Sequence, residues 1–342
     1  MKAIVIDKPG GYDRLVLRER PRPPLPAGHV RVAAAACGVN YADCIVRMGL
    51  YSSAREYVGW PITPGFEVAG TVAECGEGID LREGDEVLAV TRFGGYASEV
   101  VVPRHQVFRR PRGWSVDEAA ALPAVGLTAW YALLELCRPR PGAKLLVHSA
   151  AGGVGGVLVQ LGRHLGCEVA GVVGSPHKVE QARALGAHVV IDRSCEPLWA
   201  RAEAFAPEGF DAIFDANGVA TLRGSYRHMA PTGRLVVYGF ASMLPRAGQR
   251  RSWLRLAWHY LRTPRFDPFD LTQRNRSVMG FNLSYLFEHT ERLERGMELL
   301  LGWADEGVLR PPPVRTFALA DAAEAQRALE SGRTMGKLVL RP

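Results

Sequence analysis

Glycines cluster between an apolar run and a helical pattern at residues 147–162, VHSAAGGVGGVLVQLG. A turn that binds a dinucleotide needs small residues at the offsets of G-x-G-x-x-G. One makes the turn, one lets the backbone approach a pyrophosphate, and one lets helix and strand pack closely. These offsets fall on Ala150, Gly152 and Gly155. The N-terminal amides of the following helix would then face a phosphate; the alternative is a glycine-rich turn that binds nothing.

The end of the next predicted strand, VVGSPHK at 172–178, contains no acidic residue. A site that prefers NAD usually carries Asp or Glu there, to bind the ribose 2′-hydroxyl. Ser175 and Lys178 instead suit a 2′-phosphate, as a hydrogen-bond donor and a counter-charge. The residues therefore favour NADPH as the cofactor. The alternative for Lys178 is an ordinary exposed lysine on the next helix.

The elements that would position these residues alternate regularly from residue 144 onward. The predicted strands of this part are KLLVHS (144–149), EVAGVV (168–173), HVVID (188–192), DAIFDAN (211–217), GRLVVYG (233–239) and VMGFN (278–282). Apolar strands that alternate with helices are typical of a parallel sheet covered on both faces. The earlier part predicts short strands separated by Gly and Pro, and one helix over 115–136 that begins at a capping box of Ser115 and Glu118.

Composition is that of an ordinary globular protein, with 47% hydrophobic and 23% charged residues and a modest net charge of +7. The 342 residues suffice for about two domains. No stretch approaches the ~20 apolar residues of a membrane span, and the first residues predict a strand rather than a signal peptide. Six cysteines without a C-x-x-C pair predict reduced thiols. We therefore expect a cytoplasmic protein.

Several motifs carry a family resemblance. They are GVNYADCIVRMGLY (38–51), TPGFEVAGTV (63–72), GDEV (84–87), LPAVGLTAWYAL (122–133), AAGGVG (150–155) and GKLVL (336–340). With them, essentially the whole chain resembles the medium-chain dehydrogenase/reductase superfamily, in its zinc-free quinone oxidoreductase branch. Within that branch, the run from Ser252 to Leu286 is most similar to the vesicle amine transport protein 1-like group.

The resemblance implies an α/β fold of two domains. A GroES-like irregular β-barrel catalytic domain would comprise residues 1–123 and 285–342. A Rossmann domain with a doubly wound parallel sheet, which binds NADPH, would comprise residues 124–284 and carry a lid-like insertion at 240–272. Relatives often form homodimers by pairing edge strands of the cofactor domain, and residues 276–284 are the candidate strand here.

The resemblance also shows what is missing. Zinc enzymes of the superfamily have Cys at the position of Asn40 and His at the position of Phe66. A catalytic zinc needs three protein ligands and an open position, which Glu67 alone does not supply. The four cysteines of the structural zinc lobe are absent from TRFGGYASEV (91–100). We therefore expect no metal site.

Without zinc, the expected reaction is hydride transfer from NADPH to a quinone or an α,β-unsaturated carbonyl. Negative charge then develops on the substrate oxygen, where a hydrogen-bond donor lowers the barrier. The resemblance makes Asn40 that donor and Tyr51 a second donor or proton source. The alternatives are a turn-capping Asn40 and a packing Tyr51. Related enzymes often have Tyr at the position of Ile45, whereas Asp43 and Arg47, four residues apart, predict a helical ion pair.

The glycine loop and the resemblance together assign a larger set of residues to the cofactor site. The set consists of Thr128, Ala150, Gly152, Gly153, Val154, Gly155, Gly174, Ser175, Lys178, Arg193, Asn217, Tyr238, Gly239, Phe281, Asn282 and Arg333. Thr128 is expected beside the nicotinamide, Arg193 beside the 2′-phosphate and Arg333 on a phosphate. The residues from Asn217 to Asn282 follow sheet strands, at whose carboxyl ends ligands bind in such folds.

The insertion at 240–272 has apolar residues at helical spacing, namely Trp253, Leu256, Ala257, Tyr260 and Leu261. Its central part, 246–265, is rich in arginine and has no acidic residue. We interpret it as a lid that packs over a bulky hydrophobic substrate. The alternative is a helix on a membrane surface, in a cofactor-binding adaptor that associates with membrane or RNA and has little catalysis.

Overall fold

The computed structural model describes residues 1–243 and 253–342, which form two compact units. The first unit is Met1–Leu127 with Leu283–Pro342, and the second is Thr128–Asn282. The strands are β1 (Lys2–Val5), β2 (Val16–Glu19), β3 (His29–Val39), β4 (Glu67–Cys75), β5 (Glu86–Val90), β6 (Glu99–Pro103), β7 (Val107–Arg109), β8 (Lys144–His148), β9 (Glu168–Val173), β10 (Val189–Asp192), β11 (Phe210–Asp215), β12 (Met229–Val237), β13 (Ser277–Gly280), β14 (Val314–Ala318) and β15 (Lys337–Arg341).

The helices complete the chain. They are α1 (Tyr41–Arg47), α2 (Ser52–Tyr57), α3 (Val116–Ala120), α4 (Pro123–Trp130), α5 (Gly153–His164), α6 (Val179–Ala184), α7 (Leu198–Phe205), α8 (Leu222–Arg227), α9 (Trp253–Arg262), α10 (Pro268–Arg274), α11 (Thr290–Asp305) and α12 (Ala322–Glu330). A π-helical turn at Tyr131–Cys137 continues α4. Among the described residues, no helix is both long enough and apolar enough to cross a membrane.

The first unit is built around the long strand β3. A seven-stranded sheet has the order β14-β15-β3-β4-β5-β7, and β6 pairs with β3 as well. β14 and β15 are parallel, whereas the partners of β3 run antiparallel to it. Alternating apolar residues of these strands, such as Val30 and Val32, are completely buried in one core. The sheet therefore places β15 on one side of β3 and β4 on the other, with the first residues of both strands near the last residues of β3.

The predicted helix over 115–136 begins where expected but is not continuous. Ser115 and Glu118 form the predicted capping box at the start of α3. The helix ends at Ala120, and α4 begins at Pro123. A proline has no backbone N–H to donate and disfavours helical geometry in the residue before it. Two helices therefore replace the one that was predicted.

The second unit has the predicted parallel sheet. Its six strands are ordered β10-β9-β8-β11-β12-β13, and every neighbouring pair is parallel. Chain order reverses between β8 and β11, which places a topological switch point there. Ligands of doubly wound sheets bind outside the carboxyl ends of the strands at such a point. The predicted fold class, α/β with a GroES-like and a Rossmann-like domain, is confirmed.

The boundaries of the two units differ slightly from the predicted ones. The first falls after Leu127 instead of residue 123, and the second after Asn282 instead of residue 284. Helix α4 runs through the first boundary without a loop. A sequence pattern offers no boundary signal inside a continuous helix, so a shift of a few residues is the expected error.

Part of the predicted insertion, residues 244–252, lies outside the described residues, as does the side chain of Trp253. In α9, Leu256 is half-buried, whereas Tyr260 and Leu261 are 71% and 73% exposed. The structure therefore does not bury these two side chains, and a lid that packs over a substrate stays a prediction. Leu254 and Trp258 are exposed as well, so apolar residues surround much of the helix and their spacing did not single out one buried face.

Candidate functional site

The glycine loop of the second unit connects β8 to α5 at the switch point. Strand β8 ends at His148, and α5 begins at Gly153 with Gly152 as its N-cap. The backbone N–H of Ala150 donates to the carbonyl oxygen of Val172 at 3.0 Å, which ties the loop to β9. A Cβ atom at position 155 would overlap the backbone carbonyl of Ser149. Glycine at that position is therefore required for α5 to pack against the end of the strand.

The start of α5 fits a phosphate group. No side chain of the described residues caps the helix at Gly152, and the first backbone N–H groups of a helix have no partner within it. The helix dipole adds a partial positive charge at the same end. Gly153, Val154 and Gly155 lie in this first turn. Their amides are therefore suited to an anion such as a pyrophosphate.

The end of β9 carries donors for a second anion. The hydroxyl of Ser175 is buried and has no hydrogen-bond partner among the described residues. Lys178 is half-buried, and burial together with the charge of Arg193 lowers its pKa. Arg193 also lies near Gly174, where a Cβ atom would be 3.6 Å from its Nε. A phosphate would pair with the hydroxyl and would favour the charged form of the lysine.

A buried carboxylate at the end of β11 organises the adjacent loop, and sequence reasoning missed it. Asp215 is completely buried and accepts hydrogen bonds from the backbone N–H groups of Asn217 at 2.8 Å and Gly218 at 3.0 Å. Its other oxygen accepts from the hydroxyls of Thr221 at 2.7 Å and Ser225 at 2.9 Å. The loop that carries Asn217 is therefore held rigidly at the switch point. An Asp at the end of an apolar strand was the available signal.

Other predicted cofactor residues lie along the same sheet. The hydroxyl of Tyr238 is buried without a partner among the described residues, and burial followed by the charge of Asp215 raises its pKa. At position 239, a Cβ atom would lie 2.9 Å from the carbonyl oxygen of Ala216. The ring of Phe281 lies 4.8 Å from that of Tyr131. A buried hydroxyl that lacks a partner costs free energy unless a ligand or water satisfies it.

For Thr128, Asn282 and Arg333 we describe only the place of each residue in the two units. Thr128 and Asn282 are the first and last residues of the second unit. Arg333 is exposed and belongs to the first unit. The residues from Ala150 to Gly239 are therefore gathered on one sheet, whereas the contacts of these three with a cofactor stay predictions.

In the first unit, the side chain of Asn40 is held at the end of β3. Its Nδ2 donates to Glu67 Oε1 at 2.7 Å, and its Oδ1 accepts from Lys337 Nζ at 2.7 Å. Lys337 and Glu67 form an ion pair at 2.6 Å and are 4% and 0% exposed. Glu67 Oε2 accepts from the backbone N–H of Ala124 at 2.7 Å. Asn40 itself is half-buried, and it is the N-cap of α1, where it forms a capping box with Asp43, as the turn-capping alternative predicts.

The predicted ion pair between Asp43 and Arg47 is wrong. Asp43 accepts from the backbone N–H of Gly65 at 2.9 Å and from the hydroxyl of Tyr96 at 3.0 Å. Arg47 instead forms a buried ion pair with Glu330 of α12. Both side chains lie in the core of the unit, where partners from distant parts of the chain are closer than a neighbour on the helix surface. The spacing of four residues predicts pairs on exposed faces only.

Tyr51 lies in an aromatic cluster of the first unit. Its ring contacts Phe66 at 5.8 Å and Phe93 at 6.3 Å, both edge-on. Its hydroxyl is 2.9 Å from Ser284 Oγ, and either atom could donate. Tyr51 is half-buried. The side chain therefore has an apolar body and a polar tip, as a group that contacts a hydrophobic carbonyl compound requires.

Comparison with known proteins places the chain in a family. Residues 26–112 match an alcohol dehydrogenase GroES-like domain, and residues 185–340 match a zinc-binding dehydrogenase. The synaptic vesicle membrane protein VAT-1 homolog of Rattus norvegicus is 33% identical over 345 residues, which cover 100% of this chain and 84% of that protein. A 2-haloacrylate reductase of Burkholderia sp is 32% identical over 356 residues, which cover 99% and 98%. The Escherichia coli quinone oxidoreductase complexed with NADPH has a TM-score of 0.86 at 27% identity, with 100% of both chains covered.

A GroES-like unit and a doubly wound parallel sheet define a two-domain dehydrogenase or reductase. The chain belongs to the medium-chain dehydrogenase/reductase superfamily, in its quinone oxidoreductase-like branch, and is an oxidoreductase. The predicted family is thereby confirmed. The described residues contain no group of three or more His, Cys, Asp or Glu side chains that could hold a metal ion.

Proposed function

We propose that the protein is an NADPH-dependent reductase that transfers hydride to a quinone or to an α,β-unsaturated carbonyl compound. The observation that carries the choice of NADPH is the set of donors at the end of β9. Ser175 has a buried hydroxyl without a described partner, and the positive charges of Lys178 and Arg193 repel each other. A 2′-phosphate satisfies both features, whereas the ribose 2′-hydroxyl of NADH supplies no charge.

Each group of residues has a distinct task in this proposal. The first turn of α5 binds the pyrophosphate, and Asp215 holds the loop of Asn217 in place. When bound, the nicotinamide supplies the hydride. Asn40 donates a hydrogen bond to the substrate oxygen as negative charge develops there. Tyr51 supplies a second hydrogen bond or the proton.

The two classes of acceptor find support in different relatives. The E. coli quinone oxidoreductase favours a quinone, and the Burkholderia enzyme is named for the reduction of 2-haloacrylate. Asn40 and Tyr51 can serve either class, because both develop charge on oxygen. The aromatic cluster of Tyr51, Phe66 and Phe93 favours a hydrophobic acceptor.

The first experiment is an NADPH oxidation assay with a panel of ortho-quinones and alkyl enones, with NADH as the control. We expect turnover with at least one class and a preference for NADPH. Turnover with quinones alone assigns a quinone reductase, and turnover with enones assigns reduction of a carbon–carbon double bond. Tight binding of NADPH without turnover on either class would contradict the proposal and favour the adaptor described next.

A membrane-associated adaptor is the second candidate, and the surface of α9 favours it. Leu254, Trp258 and Leu261 follow one another at i, i+4 and i+7 and are 58–85% exposed. Arg262 and Arg265 lie at the end of this helix or just beyond it. Apolar residues beside cations suit the interface of an anionic membrane. Co-sedimentation with anionic liposomes should then fall in Trp258→Ala, whereas binding of RNA without binding of liposomes would identify a different partner.

We further propose a homodimer in which β13 pairs with the same strand of a second copy. Among the residues that the structure describes, β13 is the last strand of the six-stranded sheet and pairs with β12 alone. An unpaired strand edge is a ready template for another chain. Mass measurement by light scattering should give a dimer for the natural chain and a monomer for Val278→Pro. The N–H of Phe281 bonds to Val237 on the β12 side, and N–H directions alternate along a strand, so the N–H of Val278 faces the outer edge, where proline removes a donor.

A cytoplasmic location is consistent with the cysteines. All six are free thiols, and Cys37, Cys44, Cys137 and Cys167 are buried. Reduced cysteines are the rule in the cytoplasm and the exception outside the cell. We therefore propose that the protein acts in the cytoplasm.

A further inference from the structure

The side chain of Asn40 lies between the two members of a buried ion pair, Glu67 and Lys337. The function proposed above gives this pair no role. Register explains how the pair forms. Leu338 of β15 is opposite Val39, and Val68 of β4 is opposite Cys37, so β3 lies between the two strands. Lys337 and Glu67 each begin their strand and therefore meet at the end of β3.

The sequence makes room for this arrangement. At position 38, a Cβ atom would overlap both the carboxylate of Glu67 and the carbonyl oxygen of Ala120. Glycine at that position therefore lets the carboxylate lie against the backbone of β3. The ammonium of Lys337 also donates to the carbonyl oxygen of Val39 at 3.0 Å, so all the polar groups of the pair have partners.

The two charged groups fix the orientation of the Asn40 amide, in addition to the capping box that its side chain forms with Asp43. A carboxylate only accepts hydrogen bonds, and an ammonium only donates them. The Nδ2 atom must therefore face Glu67, and the Oδ1 atom must face Lys337. A rotation of the amide by half a turn would break both hydrogen bonds. It would place the amide oxygen against the carboxylate of Glu67 and the amide N–H groups against the ammonium of Lys337.

The same contacts change the amide electronically. A hydrogen bond from a cation to the amide oxygen draws electron density from the nitrogen, and bonds in such a chain strengthen one another. The contact with Glu67 uses one of the two N–H bonds of Asn40. The second N–H then belongs to a fixed and polarised donor on a half-buried residue.

We propose that Glu67 and Lys337 are positioning residues, which hold the Asn40 amide so that its second N–H donates to the substrate oxygen. The inference rests on the proposed reductase function and adds the residues on which its oxyanion donor depends. The ion pair holds the Asn40 amide in one orientation. A donor that is already oriented stabilises the developing charge on the substrate oxygen without having to reorganise during the reaction.

A double-mutant cycle on turnover tests this role. The variants are Asn40→Ala, Glu67→Gln with Lys337→Met, and all three changes together, each assayed by NADPH oxidation. Removal of both charges avoids leaving one of them buried and unpaired. Arg47→Met with Glu330→Gln is the matched control, because it removes another buried ion pair of the same unit that does not contact Asn40.

We expect Asn40→Ala to lower kcat about 100-fold and the loss of the Glu67–Lys337 pair to lower it at least tenfold. The Kd for NADPH should stay within about twofold, and the triple variant should be no slower than Asn40→Ala, because the pair acts through that residue. The control should lose thermal stability but keep kcat within about twofold. Unchanged kcat without the pair, or losses that multiply in the triple variant, would overturn the inference.

A fourth variant covers the case in which loss of the pair prevents folding. In Glu67→Asp, the carboxylate keeps its charge beside Lys337, but its side chain is shorter by one methylene, which withdraws the acceptor from Asn40 Nδ2. We expect this variant to fold and to bind NADPH as the natural chain does, with kcat lowered about tenfold. A kcat equal to that of the natural chain in this folded variant would overturn the inference. A natural chain that does not oxidise NADPH with any acceptor of the panel would instead refute the proposed function.

Discussion

The imidazole of His148 lies 3.7 Å from the carboxylate of Asp215, and both side chains are completely buried in the second unit. Ser225 bridges them, because its hydroxyl donates to Asp215 at 2.9 Å and lies 3.0 Å from His148 Nε2. His148 precedes the glycine loop, and Asp215 holds the loop of Asn217. One buried network therefore supports both loops at the switch point of the sheet.

This network should make the stability of the second unit sensitive to acid. Burial lowers the pKa of His148, against the opposing effect of Asp215. The unfolded chain, in which a histidine has its ordinary pKa of about 6.5, then binds more protons than the folded chain. Stability is therefore lost as pH falls below about 6.5. The melting temperature of His148→Gln should fall less steeply over this range, and equal slopes in both proteins would contradict the prediction.

Asp43 should have the opposite effect in the first unit. Burial raises the pKa of this carboxyl to about 7, although hydrogen bonds from Asn40 and Tyr96 act in the other direction. Between about pH 4 and 7 the folded chain keeps a proton that the unfolded chain has released. This contribution to stability is therefore lost as pH rises through that range. Asp43→Asn, compared with the natural chain by chemical unfolding at several pH values, should remove this slope; an undiminished slope would assign it to another group.

Lys178→Ala should weaken NADPH more than NADH. The lysine pairs with the 2′-phosphate in the proposed site, and NADH lacks that group. The ratio of the two dissociation constants should change about tenfold, which corresponds to ~1.4 kcal/mol. Fluorescence titration with each cofactor measures the ratio. Arg201→Ala, which removes an exposed cation of the same unit, is the control. An equal loss for both cofactors would place Lys178 outside the phosphate site.

Gly155→Ala should disturb the glycine loop, whereas Gly156→Ala should be tolerated. The added methyl group overlaps a backbone carbonyl at position 155. At position 156 it would lie 3.2 Å from the tip of Leu185 and 3.8 Å from the carbonyl oxygen of Ala150, the second of which is an ordinary contact. Overpacking against rigid backbone costs about 1–3 kcal/mol. We expect a lower melting temperature and weaker NADPH binding for Gly155→Ala alone. Similar results for the two variants would show that the loop has room to adjust.

Local patterns in the sequence were sufficient for the sheet and glycine loop of the second unit and for the start of α3 in the first unit. The parallel sheet, the start of α5 and the capping box of α3 follow from apolar runs, small residues and caps that lie close together in the chain. The gathering of Ser175, Lys178 and Arg193 at one end of the sheet follows from the rule that ligands bind at the carboxyl ends of parallel strands. These features were predictable because each depends on neighbours along the chain or on a regular alternation of elements.

The partners of buried polar groups were not predictable in the same way. The spacing of Asp43 and Arg47 favours a helical pair, yet each side chain binds a residue from another element. Asp215 was missed because a single Asp after a strand does not reveal how many donors surround it. The spacing rule for helical ion pairs applies only to side chains that are exposed to solvent. Which side chains are buried is decided only when all the elements have packed together.

By itself, the sequence determined the class of fold, the glycine loop and the residue types available to a cofactor and a substrate. Only the tertiary structure decided the surroundings of Asn40, which contacts Glu67 and Lys337 at separations of 27 and 297 residues along the chain. The order β15-β3-β4 brings these three residues together. Strand order is set by the packing of the whole sheet, and no local periodicity encodes which strands become neighbours.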